Sequence, residues 1–423
     1  MKKTKILVLC HVPPDRVTFT TMLFQRISPI LKKKKNIEII WAVLMSKKIE
    51  NVRVSENERI LDIRNYKNFL EIINNEEPDL VYAAATFSFM DYAASTAAKH
   101  CKTPVLSRWY NSMGDKTGRQ NDAIKSYPRR FFEDKTPTDE ENDSKMMMKR
   151  GRFFLYKYWY LMKTLKATGI NLPKRFVISL KLLNIYLNMG KRTVFPEFAN
   201  TMHWLENEST YNELKNSGYK EESLIVTGNP IYDDAYNESK INQKKDSKKI
   251  RVLFAPVALF EHGVITKEQN EFSFKTILEK INSQQKFELI TKIHPTTRSM
   301  ENYSSLAIEV DGSIQLIDKG HILDYILKSD VLVTYPGNST MIVNALIAKI
   351  PIIVCNFFNI EPGTYVKEHL VKQCTNPDEL EKMIFEYKNY QNKNIDKFMI
   401  KHFFKNDGKS ADRLCDVIIK MIS

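Results

Sequence analysis

The chain has 423 residues, 43% of them hydrophobic and 27% charged, which is too long for one ordinary core and makes two folded domains the expectation. Five cysteines (Cys10, Cys101, Cys355, Cys374 and Cys415) are scattered without a CxxC pair, which argues against a zinc site and suits a reducing cytoplasm. The formal charge is +14, and no stretch reaches the roughly 18 uncharged apolar residues of a membrane span.

The opening "MKKTKILVLCHVPPDR" is basic, but its apolar core is too short for a signal peptide and runs into His11, Asp15 and Arg16. It reads as a first strand. A helix follows around Thr18 to Leu31, then a second strand, "IEIIWAVL". "YKNFLEIINNEEPDLVYAAA" is a helix running into a strand with Pro78 and Asp79 at the junction, and "MDYAASTAAKHCKTPVLSRW" repeats that unit. The polar, acidic run "EDKTPTDEENDSK" reads as an exposed loop.

Ser144 to Pro196 contains no Asp or Glu and twelve Lys and Arg, interleaved with Phe, Tyr, Trp, Leu and Met. Helices that are cationic on one side and aromatic on another suit an anionic membrane surface. The plainer alternative is a pair of core-packed helices whose outer face is basic. Nucleic acid, the other partner such a patch could serve, is not expected.

"NTMHWLENESTYNELKNSGYKEESLIVTGNPIYD" then gives strand, helix and strand. "NESKINQKKDSKK" is polar without apolar periodicity and reads as a linker. A second series runs through "IRVLFAPV", "FELITKIHP", "IQLID", "DVLVTY" and "PIIVCN", with helical patterns between most of them. This alternation implies two parallel-sheet, Rossmann-like α/β domains facing across a cleft, with any ligand at the carboxyl ends of the strands. The expected organisation is a first domain over 1–235 carrying the basic helical segment 145–195, and a linker over 236–249. A second domain over 250–405 and a C-terminal helix over 406–423 packing back on the first complete it.

Four motifs end strands in the second half: "VTGNPIYD", "FAPVALFEHG", "TKIHPTTR" and "YPGNST". In "TYPGNSTMIVNAL", Pro336 and Gly337 break an apolar strand, Asn338 and Ser339 are good N-caps, and "STMIVNALIAK" reads as an amphipathic helix. An acid-free helix start after a buried strand points backbone N–H groups at an anion. His294, held extended by Pro295, can donate to a phosphate with Lys292 and Arg298 nearby. Each motif alone has a plain structural reading; together they read as a phosphate cradle.

The combination of "TGNPIYD", "KIHPTTR", "SDVLVTYPGNSTMIVNALIAKIPIIV" and "KNDGKSADRLCDVIIKMI" resembles the two-Rossmann (GT-B type) transferases of bacterial surface glycans. Within them it is most similar to sialyltransferases, Kdo transferases and CDP-glycerol glycerophosphotransferases, which use cytidine-activated donors. The resemblance covers the half from Val226 onward. It implies that His294 and Pro295 match an HP motif and Ser339 and Thr340 a Ser/Thr motif, both gripping the donor phosphate. "TYPGNST" in place of the "TDYSS" of many glycerophosphotransferases, and "FAPVALFEHG" without the usual basic residue, favour a sugar over a polyol phosphate.

The function expected is a metal-independent glycosyltransferase of polysaccharide biosynthesis, using a nucleotide sugar, a CMP-linked acidic one, and a glycan or lipid-linked acceptor. No cofactor and no metal are expected, since no Asp-X-Asp occurs. The donor set is Gly228, Asn229, Glu261, His262, Lys292, His294, Pro295, Gly337, Asn338, Ser339 and Thr340. The acceptor hydroxyl needs a base from the first domain. His11 and Asp15, after the first strand, are the candidates, with Asp91 and Asp115 as alternatives. The expected location is cytoplasmic, peripheral on the inner face of the membrane. The competing readings are a UDP-GlcNAc 2-epimerase-like isomerase, a CDP-polyol phosphotransferase and a non-enzymatic binding protein. "CHVPPDR" lacks the Gly–Thr–Arg-like turn that usually opens the isomerases.

Overall fold

The computed structural model of the chain describes residues 3–10, 14, 18–44, 48–84, 89–108, 143–187, 201–241, 247–261, 263–294, 300–337, 339–390 and 392–423, with backbone alone at 84, 143–153, 184–187 and 201. Two sheets organise them. The first contains β1 (Thr4–Cys10), β2 (Ile37–Val43), β3 (Val52–Ser55), β4 (Glu58–Asp62), β5 (Leu80–Ala84), β6 (Val105–Arg108), β7 (Thr201–Leu205) and β8 (Leu224–Val226). Their order is β3-β4-β2-β1-β5-β6-β7-β8, parallel except for the β3–β4 hairpin. The chain winds outward from β1 in one direction and returns to start again at β5, so the switch point lies between β1 and β5.

The second sheet contains β9 (Ile250–Phe254), β10 (Phe287–Lys292), β11 (Leu316–Ile317), β12 (Val331–Thr334), β13 (Ile352–Cys355) and β14 (Lys372–Cys374). Its order, β11-β10-β9-β12-β13-β14, is parallel throughout and places the switch point between β9 and β12. Period-two alternation feeds a core on each face. Leu7 and Leu9 of β1 join one cluster while Ile6 and Val8 join the other. Val252 and Phe254 of β9 are likewise separated from Leu253.

The helices of the first half are α1 (Phe19–Lys34), α2 (Phe69–Glu76), α3 (Phe89–His100), α4 (Asp143–Ala167), α5 (Leu172–Leu187), α6 (Glu208–Asn216) and α7 (Asp233–Ile241). Thr18 and Thr21 form a reciprocal capping box at the start of α1. The second half adds α8 (Lys267–Asn282), α9 (Met300–Val310), α10 (Ile322–Lys328), α11 (Thr340–Ile347), α12 (Thr364–Lys367), α13 (Leu380–Tyr387), α14 (Asn394–His402) and α15 (Ser410–Met421). Among the described residues no helix is long and apolar enough to cross a membrane.

Two expectations are corrected. Residues 236–241 of the expected linker are the body of α7, whose Ala235 is fully buried in the second-sheet core with Tyr232 and Tyr236 packed against it. The polar composition that suggested a linker belongs to the outer face of a short helix with a narrow buried stripe. The chain therefore leaves the first sheet after β8 and is already packed on the second core by Tyr232. The helix expected to be amphipathic, α11, is buried at every position from Met341 to Ile347. It is covered on all sides, its residues packing with those of β12, β13, α10 and α14.

The last helix returns to the first sheet. Ala411, Leu414, Cys415 and Ile418 of α15 share a cluster with Phe24, Ile27 and Leu31 of α1 and with β1 and β2. Lys409, at the N-cap of α15, makes no side-chain capping bond. Asp233 supplies the cap from α7, accepting from Ser410 N at 3.1 Å and Ala411 N at 2.7 Å.

Candidate active site

The strand ends of the second sheet gather the motif residues. β10, β9 and β12 are neighbours in that order, so their carboxyl ends put His294, the loop after Phe254 and the start of α11 side by side. Adjacent strands lie about 4.8 Å apart, so His294 and Ser339 leave strand ends separated by about 10 Å, the width of a phosphate or diphosphate with its hydrogen bonds. The floor is pinned by backbone and hydroxyl: Ala255 N donates to Val333 O at 3.0 Å, and Thr334 Oγ1 donates to Ala255 O at 2.7 Å.

Ser339 sits in the extended conformation of an N-cap, its Oγ accepting from Met341 N at 3.3 Å. No acidic residue occupies the first turn of α11. The positive end of the helix dipole is therefore uncompensated by its own side chains, and Thr340 is exposed beside it. Gly337 is buried in the turn and His294 is half-buried. Lys292 is buried at the end of β10 with its ammonium donating to Asp318 O at 2.8 Å, and burial lowers its pKa. It ends the strand that leads to His294, and its ammonium is held by the turn after β11.

Glu261 comes off the loop after β9. Asn270 of α8 donates to the Tyr303 hydroxyl at 3.0 Å, which donates to Glu261 Oε1 at 3.3 Å. Glu261 Oε2 is buried and has no partner among the described residues. The same holds for the hydroxyl of Tyr335, which ends β12. Burial pushes the Tyr335 phenol far above its ordinary pKa, with the charges of Tyr303 and Glu261 acting in the same direction. A buried unpaired acceptor or donor costs about 1–3 kcal/mol, so both groups gain from a polar ligand. Tyr303, Asn270 and Tyr335 were not among the expected site residues. Tyr335 lay within the motif itself, whereas Tyr303 and Asn270 sit on helices with no spacing to mark them.

Gly228 and Asn229 stand apart from this crevice, at the crossing between the sheets. Gly228 has φ +82°, and a Cβ there would lie 2.5 Å from Ser410 Oγ and 3.2 Å from Phe404 O. Asn229 caps the following turn through Ile231 N. Thr227 O accepts from Arg413 Nε at 2.7 Å. This motif is engaged with the start of α15 and its approach.

On the first sheet, Arg108 ends β6 and Glu206 follows β7, where its carbonyl accepts from Phe404 N at 3.1 Å. They form a buried ion pair, Nε to Oε1 at 3.1 Å, with the guanidinium over the Phe19 ring. Neither was singled out in the sequence, where each ends an ordinary-looking strand. Asp91 is 5% exposed in the first turn of α3, at the switch-point strand β5. Burial lowers the pKa of Lys157 from α4, and the Asp91 charge opposes that. His11, Asp15, Asp115, His262, Pro295, Arg298 and Asn338 lie outside the described residues. Among the described residues no three His, Cys, Asp or Glu side chains converge to hold a metal ion.

No family model and no curated protein matches the chain. Solved structures do. A putative UDP-N-acetylglucosamine 2-epimerase from Listeria monocytogenes is 15% identical with TM-score 0.52, the match covering 99% of this chain and 96% of that one. The glycotransferase of kitacinnamycin is 11% identical with TM-score 0.53 and full coverage of both chains. The wall teichoic acid polymerase TagF, as a variant, is 13% identical with TM-score 0.51, covering 99% and 89%. The fold is the two-domain GT-B fold. Epimerase and transferases are similarly near, so the likeness fixes the GT-B architecture and leaves the chemistry to the crevice.

Proposed function

We propose that this GT-B chain is a metal-independent glycosyltransferase that moves a sugar from a nucleotide-activated donor, a CMP-linked acidic sugar, to a surface glycan or lipid-linked acceptor. The observation that carries the reading is the flanking of β9 by His294 on one side and the acid-free start of α11 on the other. Such a pair suits a leaving nucleotide phosphate, because its growing negative charge meets fixed N–H dipoles and an imidazole. Glu261, with one buried oxygen that has no partner among the described residues, suits a ribose hydroxyl that donates to it. An acceptor base comes in this reading from the end of β1, where His11 and Asp15 follow in sequence.

Isothermal calorimetry with CMP, CDP and UDP tests the donor site. CMP or CDP is expected to bind, and His294→Ala to weaken it by about 1.5–3 kcal/mol, the worth of one charge-assisted bond. Unchanged affinity in that variant overturns the site. Proton NMR of UDP-GlcNAc incubated with the chain and no acceptor separates the isomerase: appearance of the 2-epimer would replace transfer with epimerisation.

A further inference from the structure

The segment free of acidic residues folds into α4 and α5, which use one face each to complete the first-sheet core. Tyr160, Leu161 and Leu165 of α4 and Ile178 and Leu182 of α5 are buried there. The outward faces are also apolar. Leu155 and Trp159 on α4, and Leu172, Phe176, Val177 and Leu180 on α5, are each at least 50% exposed. A solvated helix carries polar residues on the face opposite its core stripe. Here Leu172, Phe176 and Leu180 recur at four-residue spacing along the outside of α5, and Leu155 and Trp159 do the same on α4. Lys163 and Lys166 continue the line on α4, and Lys174 and Lys181 border the stripe on α5, all exposed.

We propose that the outer face of the α4–α5 pair is a docking surface for an anionic lipid bilayer, lying in the interface plane with its apolar stripe at the acyl boundary and its lysines on the headgroups. Charge complementarity selects this occupant. Ser144 to Pro196 holds twelve Lys and Arg and no acid of its own, so its net positive field attracts anionic lipid. A second copy of the chain would bring the same positive field against itself. Nucleic acid rewards stacked aromatic rings, whereas four of the six exposed side chains are aliphatic.

The position of α4 fixes what the bilayer would lie beside. Thr164 Oγ1 accepts from Phe69 N at 3.2 Å, at the start of α2. The rings of Phe154 and Tyr158 lie 5.3 and 5.8 Å from that of Phe89, at the start of α3. In a parallel α/β layer, helices start at the carboxyl ends of strands. Thus α4 crosses the helical layer along the cleft edge of the first sheet, and docking sets that edge next to the membrane. The surface stands on the helix faces alone and does not depend on the transferase reading.

The full chain and two variants are tested by sedimentation with phosphatidylglycerol-containing and pure phosphatidylcholine vesicles, at low and high salt. Leu172→Ser/Phe176→Ser/Leu180→Ser removes the stripe, and Lys163→Gln/Lys166→Gln/Lys174→Gln/Lys181→Gln removes the border charge. All seven positions are exposed, and circular dichroism melts check that each variant stays folded. The expected result is binding to the anionic vesicles only, lost at high salt. The serine variant should bind at least about tenfold more weakly, and the glutamine variant, with four charges removed, about a thousandfold more weakly. Trp41 and Trp204 are buried, so in a Trp109→Phe background a blue shift of emission on vesicle addition should report Trp159 and vanish when Trp159→Phe is added. Equal binding to both vesicles, binding to neither, or variants that sediment like the parent overturn the proposal. So does a parent dimer that the serine variant dissociates, since the patch would then be an interface between copies.

Discussion

Single residues in the crevice carry the sharpest test of how the donor is held. Glu261 keeps one oxygen on the Tyr303 hydroxyl and has the other buried without a partner among the described residues. Glu261→Gln retains an acceptor for Tyr303 but removes the charge, so nucleotide affinity should fall about tenfold or more while the melting temperature holds. A calorimetric affinity equal to that of the parent would mean the ribose is held elsewhere. His203 in β7 illustrates burial acting on a titratable group away from the site: desolvation lowers its pKa to about 4. Below the unfolded value near 6.5, the unfolded chain binds a proton that the folded chain refuses until about 4, so stability is lost as pH falls through that window. By pH about 5 the loss should reach about 2 kcal/mol. Urea unfolding at neutral and mildly acidic pH should show that extra loss in the parent and its absence in His203→Gln. The motif residues were legible because chain punctuation (Pro295 after His294, Pro336–Gly337 before Ser339) marks strand ends locally. Tyr303 and Asn270, and separately Arg108 and Glu206, were not, because only the fold brings each pair together.

Among the elements, those with two buried faces or a cap signal were readable, and the others were not. β1, β2, β9 and β12 are almost continuous apolar runs, broken near their starts only by Lys5, Glu38 and Arg251, as strands covered on both sides should be. The β3–β4 hairpin escaped notice because β3 is only four residues long and exposed along its length, so its Val52–Val54 face is too short to mark a strand. The short helix α7 hid in a polar run. Its first residue nevertheless performs the capping of α15 that Lys409 does not. Both Asp233 oxygens accept amides of α15, and burial raises its pKa against their opposing effect. Asp233→Ala should therefore cost about 1–2 kcal/mol by loss of a cap at a helix N-terminus. Asp233→Asn, which keeps one acceptor oxygen, should cost less. Chemical denaturation of the two variants checks the order, and a loss in Asp233→Ala below about 0.5 kcal/mol would show that the cap contributes little.

For the molecule as a whole, the crossing of α15 decides how the two sheets are tied. The helix is the last piece of sequence yet fills the face of the first-sheet core beneath α1, with Leu414, Cys415 and Ile418 fully buried. Further contacts cross in the same region: Phe404 N donates to Glu206 O at 3.1 Å, Asn207 Nδ2 donates to His402 O at 2.9 Å, and Arg26 of α1 pairs with Asp234 of α7. None of these side chains lies in the crevice between β9 and β12, so the two halves should be separable by mutation. Truncating a buried leucine or isoleucine costs about 2–5 kcal/mol, and two together approach the stability of a whole domain. Leu414→Ala/Ile418→Ala should therefore lower the melting of the first domain and leave the second nearly unchanged. Scanning calorimetry with and without nucleotide reads this directly. The double variant should show two separated transitions, and nucleotide should raise only the upper one, by linkage to the domain that binds it. A single transition falling as a unit would show instead that the crossing couples the sheets into one cooperative body, and that opening of the cleft cannot be uncoupled from the folding of either half.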